Sequence, residues 1–439
     1  MRMHHPRLAA LRSALALSSS SIPVSRPRPA SLRSLEDSFL RHHKYLRISL
    51  TERCNLRCTY CMPSTGIDLT PSSKLLSKNE VITLASHFVS LGVNKIRLTG
   101  GEPTLRPDLM EVLKDLSPLR SRGLSTLALT TNGVLLGSGR LAQSLWEVGL
   151  DAINISLDTL QREKFSLISR RPPSHWDATW SGIQTALSIG WGYTPQKPLK
   201  INCVVQKGVN DDEAASLVET LTRCLPIELR FIEFMPFCGN GWGNGELMVP
   251  SSDLLSSLRA TLPNFAPALP RKSSTTTTTM GSVGGGRITS VNASAFSPHT
   301  LSSPAPLSTH HISPQPLASE HVSSSGGTCG VVWRGAPDWL GSVGFISTLS
   351  SAFCASCSRL RLTADGNFRV CLHDSASREV SLRDILRKGD GAMETSEKLT
   401  EAIEGAVWRK FEKLGGATYL KGGERSDKPG ERPMIKMGG

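Results

Sequence analysis

The stretch Tyr45-Leu46-Arg47-Ile48-Ser49-Leu50-Thr51-Glu52-Arg53-Cys54-Asn55-Leu56-Arg57-Cys58-Thr59-Tyr60-Cys61 runs a short β-type segment directly into a loop bearing three cysteines. The C-x3-C-x2-C spacing of Cys54, Cys58 and Cys61 gathers three thiolates and supplies no fourth. A four-iron cluster needs four ligands, so one iron is left without a protein thiolate. Such an iron can bind an exchangeable molecule, which points to a reagent held on the metal rather than to a closed structural site.

Outward from this stretch, the chain alternates β-type runs with helical ones. Six strands are expected: Tyr45–Leu50, Lys95–Thr99, Thr126–Thr131, Ala152–Leu157, Lys200–Val205 and Glu228–Phe234. Most are too apolar for a sheet with one wet face, and the alternation predicts a parallel sheet with crossover helices. One helix is predicted over Lys78–Leu91, with Val81, Ile82, Ala85, Phe88 and Val89 on one side; another follows the acidic start at Asp212 and runs to Cys224. Chemically capable groups gather just after strands: the cysteine loop, Gly100-Gly101-Glu102-Pro103, Thr130-Thr131-Asn132-Gly133 and Ser156-Leu157-Asp158. Barrels place reactive groups at the C-terminal ends of their strands. The expected fold class is therefore α/β, an incomplete (β/α)6 TIM-type barrel with a C-terminal extension.

A second cysteine trio lies in that extension, where Cys354-Ala-Ser-Cys357 is followed after thirteen residues by Cys371. His373 could complete a Cys3His zinc shell, so at this level zinc and an iron–sulfur cluster both stay open. Cys203, Cys224, Cys238 and Cys329 show no paired spacing. A disulfide framework does not suit clustered, metal-type spacings in a chain of 439 residues.

The composition, 39% hydrophobic, fits one large globular domain with additions, and no apolar run approaches the length of a membrane span. The formal charge of +13 is not evenly spread: residues 1–35 hold six arginines and no acid. That arm, with Arg7-Leu-Ala-Ala-Leu-Arg-Ser-Ala-Leu-Ala-Leu17, resembles a mitochondrial presequence and predicts a matrix location. Residues 271–327 are rich in Ser, Thr, Pro and Gly, with five threonines at 275–279, and read as a low-complexity disordered insertion. The expected organisation is thus a presequence at 1–35, the partial barrel at 36–270, the insertion at 271–327, and a second-cluster and substrate-binding region at 328–439. Within the last, β-type runs at 341–346 and 358–363 flank the second trio, and helix is expected over 381–414.

Taken together, these residues resemble the radical S-adenosylmethionine superfamily. Leu46-Arg-Ile-Ser-Leu-Thr-Glu-Arg-Cys54, Lys95-Ile-Arg-Leu-Thr-Gly-Gly-Glu-Pro103, Phe231-Ile-Glu-Phe-Met-Pro236 and the second trio are similar, within it, to the GTP 3′,8-cyclase family of molybdenum cofactor biosynthesis. The match covers about Lys44 to Cys371, resumes at Gly438-Gly439, and skips the arm and the insertion. One departure is Phe237-Cys238-Gly239-Asn240, with a cysteine where the family implies an acidic residue.

The resemblance implies two 4Fe–4S clusters, one on Cys54, Cys58 and Cys61 and one on Cys354, Cys357 and Cys371. The open iron of the first would bind S-adenosylmethionine; the 5′-deoxyadenosyl radical released on reduction would take the 3′ hydrogen of GTP and start cyclisation at C8. Tyr60, Gly101, Ser156 and Met235 are the implied S-adenosylmethionine contacts, Gly101 because a side chain would obstruct close approach. The implied GTP residues are Arg47, Arg97, Thr130, Lys200, Arg359, Leu360 and Arg361, with Lys95 near the phosphates; Arg359 and Arg361 are also assigned to the catalytic set with the first trio. Non-titrating cations suit a triphosphate carrying about four negative charges. Arg97, Arg359 and Arg361 alternate with apolar neighbours, which puts them on one face of their strands. The terminal Gly438-Gly439 resembles the family's thin, flexible end that enters the cavity.

As partners the resemblance implies GTP, a reductant protein for the cluster and a cyclic pyranopterin monophosphate synthase acting downstream as a separate protein or domain; a homodimer is compatible with it, and no nucleic acid or membrane is expected. Two other readings are weighed: another radical S-adenosylmethionine enzyme with an auxiliary cluster, such as a peptide modifier, and a zinc-binding RNA-associated protein. The basic stretches lack the interleaved aromatics the latter needs.

Overall fold

The computed structural model describes residues 35–237, 247–267, 332–335, 338–389, 391–413 and 433–437. The arm, the insertion, Cys238, Cys329 and the terminal glycines lie outside these residues. A single twelve-stranded sheet organises the chain. Its centre comprises β1 (Tyr45–Ser49), β2 (Lys95–Thr99), β3 (Thr126–Thr131), β4 (Ala152–Ser156), β5 (Leu199–Val205) and β6 (Ile227–Glu233), all parallel and in sequence order. The six expected strands are therefore present, with ends shifted by one residue at most.

The remaining strands extend both flanks of the same sheet. On one side β9 (Ser342–Ile346) pairs parallel with β6 and carries the antiparallel β8 (Trp333–Arg334) and β7 (Ala266–Pro267). On the other, β10 (Arg359–Leu362) pairs parallel with β1 and carries the antiparallel β11 (Asn367–Arg369) and β12 (Val380–Ser381). The β-type runs expected around the second trio thus belong to opposite flanks of one sheet, which local pattern could not reveal. The twelve residues between β9 and β10 carry Cys354 and Cys357 from one flank to the other.

Crossover helices follow from apolar spacing and local caps. Helix α1 (Lys78–Ser90) starts at a capping box, with Ser77 Oγ accepting from the Glu80 amide and the Glu80 carboxylate accepting from the Ser77 amide. It buries Val81, Leu84, Ala85, Phe88 and Val89; Leu84 fills the stripe, and Ile82, expected there, lies at its edge. Helices α2 (Leu109–Leu116), α3 (Arg140–Glu147), α4 (Arg162–Ser169), α5 (Ser174–Ile189) and α6 (Ala214–Thr222) follow in order, then α7 (Ser251–Thr261), α8 (Leu382–Leu386) and α9 (Ala392–Trp408). The segment predicted as one helix from Asp212 begins instead as a 3-10 turn over Asp211–Glu213 before α6.

The two faces of the sheet differ in chemistry. Leu46, Ile48, Ile96, Leu98, Leu127, Leu129, Ile153 and Ile155 are buried in one contiguous apolar core. The alternate positions carry Arg47, Arg97, Thr130, Asn154, Asn202 and Arg230, in register across neighbouring strands: Arg361 beside Arg47, Arg47 beside Arg97, Thr130 beside Asn154, and Asn202 beside Arg230. Because side chains alternate along a strand, this register gathers the polar set on a single face.

Glu233 ties that sheet to the second-trio segment. Its buried carboxylate accepts from the amides of Ser251, Leu349 and Ser350 and from the hydroxyls of Ser251 and Ser350. Burial pushes the carboxyl up from its ordinary 4.5, and the hydrogen bonds from Ser350, Leu349 and Ser251 outweigh it, so the net shift is downward. A depressed carboxyl stabilises the folded state above its unfolded pKa and loses that contribution as pH falls through its folded value. We expect Glu233→Gln to lower unfolding free energy by about 2 kcal/mol at neutral pH, with the gap from wild type narrowing below pH ~4.5; denaturant melts across pH check both.

Candidate active site

The first cysteine loop is held by backbone packing rather than by its own hydrogen bonds alone. The Gly101 amide donates to the Thr51 carbonyl at 2.7 Å and the Glu102 amide to the Arg53 carbonyl at 2.7 Å. A Cβ on Gly100 would stand 2.6 Å from the Thr51 carbonyl oxygen, and one on Gly101 would fall within contact of the Arg53 carbonyl. Gly101 is therefore required by close approach of the chain's own loop, a stronger demand than the ligand clearance expected from sequence. Buried Glu102 completes the tie, accepting from Thr104 N and Oγ1, Thr131 Oγ1 and Asn132 N at 2.6–3.1 Å. On the other side the amides of Arg57 and Thr59 donate to the carbonyls of Ser169 and Ile168, at the end of α4.

The thiols of this loop are pressed together. Cys54 is pushed up to about 12, chiefly by burial and next by Cys58, while Cys58 is raised first through its hydrogen bond with Cys61 and then by burial. Thiols raised as Cys54 and Cys58 are become thiolates when a cation joins them, which is the donor chemistry of an iron–sulfur cluster. Asn132 Nδ2 lies 3.9 Å from Cys54 Sγ and donates to Asn55 Oδ1 at 2.7 Å.

The second trio faces the same cavity from the opposite end of the strands. The first follows the C-terminal end of β1, whereas Cys357 precedes β10 at the level of Tyr45, whose amide donates to the Ser358 carbonyl. The antiparallel pairing of Arg361 with Arg369 returns Cys371 to that same level. Five residues of β1 separate the two ends, roughly 17 Å at ~3.3 Å per residue. All six cysteines line one cavity with about 2090 Å³ of space between atoms, counting space open to solvent. Among the described residues, no three His, Cys, Asp or Glu side chains converge as a single metal ion requires.

Between the two ends stands a wall of cations. Arg47, Arg97, Arg359, Arg361, Lys95 and Arg230 all line the cavity. Arg97 donates through Nε to Tyr45 Oη at 2.8 Å and through Nη1 to the Leu129 carbonyl at 3.1 Å and Thr130 Oγ1 at 3.3 Å. Burial brings Arg47 down to about 10, with Arg359 and Arg97 adding to the shift. Arg361 is lowered well below its ordinary value by burial, then by Arg47 and Arg359. Buried Tyr45 goes the other way for an acid: burial raises it, but Arg97, Arg47, Arg359 and Lys95 together bring it down to about 7. Cations that depress one another in a closed site fit a polyanionic ligand.

Of the expected contacts, Tyr60, Gly101, Ser156, Met235, Arg47, Arg97, Thr130, Arg359 and Arg361 line this cavity. Two do not. Lys200 Nζ is 2.7 Å from Glu228, which also accepts from Arg230 Nε at 2.6 Å. Burial raises Glu228, but Arg230 and Lys200 outweigh it and hold it at about 2. Leu360 has its side chain fully buried in the core on the other face of β10, as its alternation with Arg359 and Arg361 requires.

Tyr45, Asn154, Asn202, Arg230 and His373 are lining residues not singled out from sequence as ligand contacts. The buried Oδ1 atoms of Asn154 and Asn202 have no hydrogen-bond partner among the described residues. A polar residue inside an apolar strand, as in Ile153-Asn-Ile155 and Ile201-Asn-Cys203, was the available signal. The tail segment 433–437 closes one side: the Ile435 amide donates to the Cys61 carbonyl at 3.4 Å, and Arg361 Nη1 donates to the Met437 carbonyl at 3.2 Å. Met434 and Met437 pack with Phe237 against Cys61, Met235 and Leu372, bridging the two trios.

Comparison with known proteins follows the same two parts. Residues 48–221 match the Radical SAM superfamily, and residues 318–415 match Molybdenum Cofactor Synthesis C. The chain is 42% identical over 405 residues to the mitochondrial GTP 3′,8-cyclase of Arabidopsis thaliana, covering 92% of this chain and 83% of that protein. It belongs to the GTP 3′,8-cyclase family. The GTP 3′,8-cyclase of Pelotomaculum thermopropionicum is 35% identical, covering 84% of this chain and 93% of its own. Molybdenum cofactor biosynthesis protein 1 of Bos taurus is 42% identical over 90% of this chain, and the chain spans about half (52%) of its length. Among solved structures, the FeFe-hydrogenase maturase HydG from Carboxydothermus hydrogenoformans is similar at a TM-score of 0.38 and 14% identity over 50% of this chain and 52% of that one, too partial to carry an argument. Members of the superfamily use S-adenosylmethionine and a 4Fe–4S cluster, and the GTP 3′,8-cyclase family has a second 4Fe–4S cluster.

The glycine packing gives a direct check. Gly101→Ala should cost about 3 kcal/mol of stability, the upper range for overpacking, because the nearest obstacles are backbone. Thermal melting of the apoprotein measures it.

Proposed function

We propose that this chain is a radical S-adenosylmethionine GTP 3′,8-cyclase, converting GTP to (8S)-3′,8-cyclo-7,8-dihydroguanosine 5′-triphosphate in the first step of molybdenum cofactor biosynthesis. The observation that carries the reading is a single cavity with a cysteine trio at each end and buried arginines between them. Cys54, Cys58 and Cys61 would hold one 4Fe–4S cluster and Cys354, Cys357 and Cys371 the other. With S-adenosylmethionine, the first cluster supplies the radical chemistry; the rest falls to this chain's side chains. Arg47, Arg97, Arg359 and Arg361 neutralise the triphosphate, and Thr130 orients Arg97. Ser156, Asn154 and Asn202 offer polar contacts along the wall, and Gly101 keeps the cysteine loop against the sheet. The tail at 433–437 excludes water between the trios. Lys200 would act on the substrate through the Glu228–Arg230 pair rather than by direct contact, and Leu360 through its backbone.

An incomplete (β/α)6 barrel is supported by the two flanks of the sheet lining one cavity. Six strand spacings separate β10 from β6, roughly 29 Å if the sheet were flat, yet Arg359 and Arg230 line the same cavity. A sheet curled around the cavity brings those flanks together. The partition at 1–35, 36–270, 271–327 and 328–439 remains our division of the chain, with the two folded segments sharing one sheet. We place the protein in mitochondria, in keeping with its basic arm and its Arabidopsis relative, and assign it GTP as substrate, a protein reductant, and a downstream cyclic pyranopterin monophosphate synthase.

Anaerobic reconstitution should give about eight irons per chain. Replacing Cys54, Cys58 or Cys61 by Ala should abolish 5′-deoxyadenosine formation and leave about four irons; persistence of cleavage removes those residues from the reaction. Arg359→Ala should weaken GTP binding by about 2 kcal/mol, the scale of a charge-assisted contact, measured by calorimetry, while S-adenosylmethionine cleavage continues. Turnover of GTP to the cyclised nucleotide, followed by mass analysis, separates this reading from that of a peptide-modifying relative.

A further inference from the structure

Behind the second trio lies a buried polar chain that the proposed reaction does not use. Lys410, just past the end of α9, is 4% exposed. Its ammonium lies 3.6 Å from Cys357 Sγ, 3.2 Å from the Arg359 carbonyl and 3.4 Å from His43 Nδ1. Among the described residues no carboxylate pairs with it. An ammonium only donates, so His43 Nδ1 must accept, which leaves the proton on Nε2 to donate to Asp37 Oδ2 at 2.9 Å. Asp37 in turn accepts from Arg41 Nε at 2.7 Å. Arg41 then clamps three carbonyls, those of Cys354 at 2.8 Å, Glu412 at 2.7 Å and Phe411 at 2.8 Å. Asp37, Arg41 and His43 are each buried. The chain of contacts thus begins at one cysteine of the trio and returns to another.

An isolated buried ammonium is costly, and the nearest group able to become its anion is the Cys357 sulfur. We propose that Lys410 is a positioning and tuning residue for the second iron–sulfur cluster, donating to the Cys357 sulfur and oriented by His43, Asp37 and Arg41. This rests on Cys354, Cys357 and Cys371 being that cluster's ligands. Hydrogen bonds and positive charge at cluster sulfurs favour the state carrying one more electron, so Lys410 raises the cluster's reduction potential. The Arg41 clamp holds Cys354 and the segment after α9 in fixed relation, so the ammonium cannot drift from the sulfur.

The test is a dithionite titration followed by electron paramagnetic resonance in a Cys54→Ala parent, where only the second cluster remains to accept the electron that dithionite gives up. Lys410→Met should shift the midpoint potential downward and Lys410→Arg should restore most of it. If Lys410→Met does not retain iron, His43→Gln, which keeps the ammonium but removes its orienting partner, should shift the potential the same way by less. An unmoved midpoint in a variant that still holds four irons overturns the proposal. A parent protein with no cluster signal overturns the ligand assignment first, and the two failures are thereby distinguished.

Discussion

Charge on one face of a largely parallel sheet is the constraint that the rest of the structure answers. A parallel sheet ordinarily buries both faces in apolar contact. Here one face does so, while the other presents guanidinium groups from β1, β2, β6 and β10 to a shared space. Arg97 is held by a tyrosine hydroxyl, a backbone carbonyl and a threonine, none of which neutralises it, whereas Arg230 is paired with Glu228. Burial first, and neighbouring cations next, depress Arg47, Arg359 and Arg361, and the same cations bring Tyr45 down against its own burial. Folding gathers positive charge at this site, which suits the triphosphate we propose as its ligand.

The cysteines sit where that field is most useful. One trio follows β1 at its C-terminal end and the other lies at the level where β1 begins, so a ligand spanning the arginines would meet one trio at each end. Backbone and side-chain ties together fix the first trio: Gly100 and Gly101 let the cysteine loop lie close against the turn after β2, and the Glu102 carboxylate binds that turn to the end of β3. The second trio depends on longer reach. Glu233 anchors the segment entering it, Arg41 anchors the Cys354 carbonyl, and Lys410 approaches the Cys357 sulfur. Both arrangements place structural carboxylates, Glu102 and Glu233, where several amides converge, which is how a buried charge is kept without an ion pair.

The parts legible in the sequence were those whose signal is local. The spacing of Cys54, Cys58 and Cys61 announces an incomplete ligand set, and the apolar β-type runs mark the six central strands closely because their register is enforced by burial. Alternation placed Arg97, Arg359 and Arg361 on one face, and the same rule, applied to Leu360, accounts for its side chain lying in the core. Lys200 is held by Glu228, a partner on the neighbouring strand that no local pattern specifies. Asn154 and Asn202 were readable in principle, as polar interruptions of apolar runs. Tyr45 and Arg230 were not, since a tyrosine or arginine on a strand gives no hint of what faces it.

What the sequence by itself determined, then, is chemical inventory and local geometry: which ligands are present, how closely they are spaced, and which side of its strand each residue occupies. Only the tertiary structure decided which residues meet. It put β9 and β10 on opposite flanks of one sheet, set the two trios at opposite ends of β1, and brought His43 and Lys410, 367 residues apart, together beside Cys357. The reason is that strand alternation is fixed within two residues of chain, whereas distances between strands are set by the closing of the whole sheet around its core, and no short stretch of sequence carries that information.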